Sequence, residues 1–262
     1  MKNLPDTTKI RENILRCAVA SGHGHIPTSF SIVEALVAVY ATMKHDPGNP
    51  LAEDRDLFVL SKGHAALGYY CVLAEYGYLT LEECMTIGTA KSRLGCHPDR
   101  LKIPGVEAST GSLGHGIGIA AGMALGIKIR GSSRKVYTLV GDGEANEGSV
   151  WEAIMVAVDQ KLHNLTILYD DNRSQVRCLQ IPNPLERLAA FGCDAQEVDG
   201  HDVNAILAAL RTPAKGVKAI VCRTEKGRGC ATLLGDFHAW HRRSPSQAEL
   251  DILLRELHAQ TV

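Results

Sequence analysis

Neither sign of charge dominates this chain: 28 lysines and arginines stand against 29 aspartates and glutamates, a formal net charge of −1. That balance leaves no global field to draw the protein to nucleic acid or to an anionic membrane. The N-terminal MKNLPDTTKIRENILR is polar and amphipathic and lacks the apolar centre of a signal peptide. A bilayer-spanning run is missing too, because IAAGMALGI is apolar but glycine-rich and falls short of the ~18 residues required. A soluble, cytoplasmic protein is the expectation. The eight cysteines, at 17, 71, 84, 96, 178, 193, 222 and 230, form no CxxC. A chain of 262 residues can bury a proper core without disulfide staples, so free thiols in a reducing compartment are expected. Internal repeats, low-complexity tracts and an obvious linker are also absent. The expectation is one domain over 1–262, with 246–262 a peripheral C-terminal helix.

What is present alternates. Thr8 to Ala20 carries a helical apolar stripe, and SGHGHIPTS breaks it. Ser31 to Thr42 reads as a buried helix, with Ser31 as N-cap and Glu34 completing a capping box; Thr80 with Glu83 reads as a second box. LFVLS at 57–61, VYTLV at 136–140, LTILYDDN at 165–172 and VKAIVCRT at 217–224 have strand character, and helical patterns separate them. This predicts an α/β fold, a mostly parallel sheet flanked by helices, with ligands beyond the carboxyl ends of the strands. Glycines 111, 114, 116, 118, 122 and 126 leave one segment almost without side chains, suited to close approach of a backbone or ligand. Its GxGxG look is a weak dinucleotide signal, because no clear strand precedes it.

Three strand ends carry unusual chemistry: SKGH at 61–64, VGDGE at 140–144 and YDDN at 169–172. Asp142 and Asn172 lie 30 residues apart, at the ends of two strands that flank one helix. A βαβ crossover brings such ends together, so two side-chain oxygens meet at one sheet edge. Hard oxygen donors beside exposed backbone N–H groups suit Mg²⁺ or Ca²⁺ holding a phosphorylated ligand. Gly141 and Gly143 would let the chain bend tightly and approach that phosphate.

Beyond these residues, GDGEANEGSVWEA followed by the asparagine of YDDN resembles the thiamine diphosphate motif of the transketolase family. SGHGHIPTSFSIVEALVAVY, LSKGHAALGYY, LGCHPDR, STGSLGHGIGIAAGMALG, LAAFGCDAQEVDGHD and TEKGRG…WH extend the likeness from about residue 8 to 245. The resemblance implies the diphosphate-binding (PP-type) fold, with thiamine diphosphate and Mg²⁺ as cofactors and Ca²⁺ or Mn²⁺ able to substitute. It gives the metal to the side chains of Asp142 and Asn172 and to the carbonyl of Ser174. It gives the diphosphate to Gly143 N–H, His64 and His241, and the cofactor ring to Gly111, Leu113 and Val176. His23 and His97 would line the channel to the reacting carbon, with His241 also near substrate, and His23 is favoured over His25 for that role. Glu147 matches the family glutamate at the interface between the two halves of the active site. Glu144 keeps a modest claim as a local charge, and His115, His163, His201 and His238 read as ordinary loop residues. The sequence departs from the family at QVRC (175–178), in the shorter link from Asn172 to AAFG, and at Ser112, where the family has proline.

The resemblance further implies a partner, a C-terminal transketolase subunit whose pyrimidine-binding domain supplies the activating glutamate, in an α2β2 heterotetramer acting on sugar substrates. Ketol transfer from a ketose, phosphorylated by expectation, to an aldose is the leading activity, because His23, His64, His97 and His241 suit a polyhydroxylated substrate. Another split thiamine-diphosphate enzyme, decarboxylating a 2-oxo acid or forming a deoxysugar, stays open, as does a non-catalytic homologue that binds the partner.

Overall fold

The computed structural model describes residues 4–175 and 179–259. Val176, expected against the cofactor ring, and the end of the tail helix at 260–262 lie outside the described residues. In chain order the elements begin with α1 (Thr7–Ser21), α2 (Ile26–Phe30), α3 (Val33–Thr42), β1 (Leu57–Leu60), α4 (Ala66–Glu75) and α5 (Leu81–Cys84). Then come α6 (Gly116–Ile129), β2 (Val136–Gly141), α7 (Gly148–Asp159), β3 (Leu165–Asp171), α8 (Pro184–Ala190) and β4 (Asp194–Asp199). The last are α9 (Val203–Arg211), β5 (Lys218–Arg223), α10 (Ala231–Gly235) and α11 (Gln247–Ala259).

The five strands among the described residues form one sheet in the order β1-β2-β3-β5-β4, and each of these pairings is parallel. Alternate strand residues feed two cores. Phe58, Leu60, Tyr137, Leu139, Leu168 and Ile220 face α1, α3, α4 and α9. Val59, Val136, Val140, Ile167, Tyr169 and Val221 face α6 and α7. A sheet covered on both faces needs apolar residues at nearly every position, which explains the continuous runs VYTLV and LTILY. The α11 helix lays Leu250, Leu253 and Leu257 into the first core beside α1.

The Thr80–Glu83 capping box is present in both directions. Ser31 behaves differently. The α3 helix begins at Val33 after Ile32, with no side-chain cap. Ser31 instead ends α2, a one-turn helix opened by Pro27 inside the stretch read as a break, and its hydroxyl turns inward to Asp170 Oδ2 (2.8 Å). Glu34 pairs with Arg11 rather than capping. Cys17, Cys71, Cys84, Cys96, Cys193, Cys222 and Cys230 are free thiols. No helix among the described residues is long and apolar enough to cross a membrane.

Candidate functional site

Strands β1, β2, β3 and β5 end at one edge, and each hands its next residues to a shared site. In the β2–β3 register Gly141 stands opposite Asp170, and Asp142 N–H donates to Asp170 O (3.1 Å). Adjacent strand ends thus bring Asp142 and Asn172 together, as the βαβ spacing predicts. Asp142 is 1 % exposed. Its Oδ1 accepts from Ser174 Oγ (2.6 Å) and from Gly143 N–H (2.7 Å), while Oδ2 is buried with no partner among the described residues. Burial, with the nearby Asp170 charge adding to it, pushes the Asp142 carboxyl above its ordinary value. A bound cation would satisfy a carboxylate oxygen orphaned in such a place. Asn172 is oriented for the same purpose. Its Nδ2 donates to Asp170 Oδ2 (2.8 Å) and Ser31 Oγ (3.1 Å), which turns Oδ1 to the Ser174 side, where it accepts from Ser174 N–H (3.0 Å).

Behind these donors lies a buried ion pair on which the sequence reading placed no weight. Lys62, 1 % exposed, donates to Asp170 Oδ2 and to Thr28 Oγ1 (3.1 Å). Asp170 also accepts from Ser31, Asn172 and Thr224, so every oxygen of this buried carboxylate is used. The pair ties β1, α2, β3 and the exit of β5 to one point. Gly141 serves it, because a Cβ there would stand 3.0 Å from Lys62 Cδ. The chain does bend tightly here, turning at 142–143 into a single 3₁₀ turn at Glu144–Asn146, but neither Gly141 nor Gly143 needs a positive φ for it. Gly143 leaves an open face instead, with Ser174 Oγ 3.4 Å from where its Cβ would be.

Glu144, given only a modest local claim from sequence, is 2 % exposed and organises three loops. Its Oε1 accepts from Ser61 Oγ (2.6 Å) and Gly114 N–H (2.9 Å), and Oε2 accepts from Gly141 N–H (3.2 Å). Ser61 Oγ in turn accepts from Ile117 N–H (2.9 Å) at the start of α6. Within the glycine-rich segment, Gly116 lets α6 sit directly on Ser61, whose Cα would be 2.5 Å from a Cβ at that position. Gly118, Gly122 and Gly126 face open space and bring no backbone close. Glu144→Gln keeps the shape but turns an NH₂ toward a backbone donor. The substitution is expected to destabilise the full chain by about 1–3 kcal/mol in urea unfolding; a change below about 0.5 kcal/mol would contradict the role.

The histidines sort in a way the sequence did not favour. The rings of His25, His64 and His241 form a cluster, with centroids 5.4 Å (25–64), 5.2 Å (25–241) and 5.9 Å (64–241) apart. His23, preferred over His25 in the sequence reading, sits beside Cys96 instead, Nδ1 to Sγ 3.2 Å. His25 opens α2 with a left-handed backbone (φ 65°), an uncommon state for a residue with a Cβ and one that gathers at functional sites. Burial and neighbouring positive charge hold His64 down to about 2, and His25 and His241 to about 4, so all three rings are neutral at pH 7. His97 is more open, near the position a Gly111 Cβ would take (3.1 Å to Cδ2), and partial burial and the Arg242 charge lower it too. Lys226, absent from the sequence-derived set, is 5 % exposed and places Nζ 3.3 Å from His241 Nδ1. Burial and the Lys62 charge bring its ammonium down to about 8.

Leu113 is half-buried in the turn before α6. Glu147 is exposed where α7 begins and makes no ion pair among the described residues. A polar cleft of about 250 Å³ opens beside Asp142, lined by Asp171, Arg173, Asn183 and Arg223 but not by the histidines. The edge therefore offers oxygen donors with one unsatisfied carboxylate oxygen, and near them neutral imidazoles and two buried lysines. This is the donor set for a divalent cation and an anionic group held side by side.

The family model described as "Transketolase, thiamine diphosphate binding domain" matches residues 14–255. The chain is 37 % identical over 255 residues to one subunit of the apulose-4-phosphate transketolase of Actinobacillus succinogenes, covering 94 % of this chain and 92 % of that one. It is 39 % identical over 219 residues to a 6-deoxy-6-sulfo-D-fructose transketolase subunit of a Clostridium strain, covering 80 % of each. Among solved structures, Campylobacter jejuni transketolase superposes with a TM-score of 0.86 at 28 % identity over 96 % of this chain. A Pichia stipitis transketolase mutant gives 0.85 at 28 % over 97 %. The chain spans only 43 % and 40 % of those two proteins.

Proposed function

The chain belongs to the transketolase family through its thiamine diphosphate-binding domain, and from that premise we propose that it is the diphosphate-binding subunit of a two-chain, cytoplasmic ketol transferase. The observation that carries the site assignment is the buried Asp142 Oδ2 with no partner among the described residues, beside Asn172 and Ser174. Those three residues fit a divalent cation, Mg²⁺ by chemistry, and the cation would neutralise the charge that burial makes costly on Asp142. The diphosphate fits the Lys226, His64 and His241 side of the site and the open face of Gly143. Gly111, Leu113 and Val176 are assigned to the cofactor ring.

When bound, thiamine diphosphate supplies a carbon nucleophile and an electron sink for breaking and forming a carbon–carbon bond. The protein's share is positioning and proton movement. At pH 7 the neutral rings of His25, His97 and His241 can accept a proton from a sugar hydroxyl and return one, and each can donate a hydrogen bond to a developing oxyanion. His25 takes the place given to His23 from sequence, because its ring shares the cluster with His64 and His241. Glu147, exposed beside α7, is assigned to contact with the other half of the active site.

That other half, a pyrimidine-binding domain with its activating glutamate, is assigned to a separate C-terminal subunit in an α2β2 complex. Support comes from two relatives named as subunits that this chain matches over most of their length. Their named substrates carry a phosphate and a sulfonate. For this protein we assign a phosphorylated ketose as donor and an aldose as acceptor. The purified chain is expected to transfer no ketol unit alone and to gain activity with its pyrimidine-domain partner when phosphorylated ketoses are offered. Turnover by the lone chain, or an inactive complex with every ketose tried, would refute the assignment; activity confined to a sulfonated ketose would refute the phosphate.

A further inference from the structure

His201 reads from the sequence as an ordinary loop residue inside the VDGHD stretch, yet its imidazole joins three elements. Its backbone N–H donates to Asp199 Oδ1 (2.8 Å), which shapes the turn after β4. Nε2 accepts from the backbone N–H of Glu225 (2.8 Å), and Nδ1 lies 3.4 Å from Glu34 Oε2. An amide can only donate, so Nε2 is the bare nitrogen and the ring proton sits on Nδ1, directed at Glu34. Glu34 is a fixed post. It is 3 % exposed and gripped by Arg11 through two hydrogen bonds of 2.7 Å, while Arg11 Nη2 also donates to Phe30 O (2.9 Å). Burial pushes the Glu34 carboxyl up, but the bonds from His201 and Arg11 outweigh it and hold the group below its ordinary value.

The amide that His201 anchors belongs to the residue just before Lys226. Thr224 fixes the other side of this short segment, with N–H to Asp171 O (3.2 Å) and its hydroxyl on Asp170. The chain then turns at Gly227 (φ +103°). Lys226 is left buried, with Nζ against His241 and 5.5 Å from the centre of the Phe237 ring. A continuous line of polar contacts therefore runs from Arg11 and Glu34 through His201 to the backbone that carries Lys226.

We propose that His201, in its neutral Nδ1–H form, is a positioning residue that holds Lys226 over the histidine cluster and so sets the affinity of the site for a diphosphate. The inference rests on the reading of Lys226 as a diphosphate contact. His201 touches neither cofactor nor substrate.

Glutamine at this position can offer Oε1 to the Glu225 amide and its NH₂ to Glu34, whereas phenylalanine fills similar space and offers neither. In the complex with its partner and Mg²⁺, His201→Phe is expected to raise the half-saturating thiamine diphosphate concentration about tenfold, or about 1.4 kcal/mol. Its kcat at saturation should stay within about twofold of the unmutated complex. His201→Gln should stay within about threefold in affinity. Lys226→Gln combined with His201→Phe should weaken binding no more than Lys226→Gln alone, since both act through one contact. In the full chain, ¹⁵N spectra of the imidazoles should show the His201 proton on Nδ1. A proton on Nε2, equal losses in the Phe and Gln variants, unchanged affinity in the Phe variant, or additive losses with Lys226→Gln would each overturn the role. An unmutated complex that binds no thiamine diphosphate would sink the functional reading and this role together, with the tautomer remaining a separate check on the geometry.

Discussion

Asp142→Asn is expected to abolish Mg²⁺-dependent binding of thiamine diphosphate, a loss of at least about a hundredfold, while leaving the ligand-free fold as stable as before or more so. The two halves of that result have one cause. Burial raises the Asp142 carboxyl above its ordinary value, and Oδ2 has no partner among the described residues, so the ionised group opposes folding when no cation is present. For an acid whose folded value is raised, stability falls as pH climbs through the window between the ordinary and the raised value. Asparagine removes the charge but can keep the Oδ1 contacts to Ser174 and Gly143. Thermal melts of the full chain with its partner separate the effects. The unmutated complex should gain stability when Mg²⁺ and thiamine diphosphate are added together, by about 2.7 kcal/mol at a hundred times Kd. The variant should gain nothing. A variant that melts lower without ligand yet keeps the full ligand-induced gain would show that Asp142 is structural and not a metal ligand.

Lys62→Met should have the largest effect on stability, about 3–5 kcal/mol in equilibrium unfolding, because it strands a buried carboxylate. Asp170 keeps its bonds from Ser31, Asn172 and Thr224 but loses its ion-pair partner, in a place where it is 2 % exposed. Lys62→Met with Asp170→Leu should recover part of the loss, since two apolar side chains can replace a buried pair with little net change. Cofactor binding should not recover, because Asp170 also fixes which way the Asn172 amide points. If the double variant binds Mg²⁺ and thiamine diphosphate normally, the pair serves stability alone. If Lys62→Met unfolds within about 1 kcal/mol of the unmutated chain, the pair is not the keystone described.

The sequence and the structure agree where contacts are local or periodic. Runs such as LTILY, separated by helical patterns, specify parallel strands, and the spacing of GDGE and YDDN puts both turns at one sheet edge. They part where a side chain finds its partner far along the chain. Ser31 looks like an N-cap because Glu34 follows three residues later, yet its hydroxyl reaches Asp170, 139 residues away. Glu144 looks like a charge at a helix start, and its shortest hydrogen bond is to Ser61, 83 residues back. Lys62 and Asp170 lie 108 residues apart, and nothing near either predicts the other.

SGHGHIP offers two histidines two residues apart, and the sequence reading favours His23. The left-handed turn at His25 and the α2 helix that follows decide which ring joins the cluster. By itself, the sequence determined the layered α/β architecture and the edge where Asp142 and Asn172 meet, because apolar periodicity and the short reach of a βαβ crossover are properties of the local chain. Tertiary structure alone decided which carboxylates are structural, which histidines face the site and which lysines are buried there. Those outcomes depend on desolvation and on pairing across the sheet, and both exist only once the strand ends have been brought together.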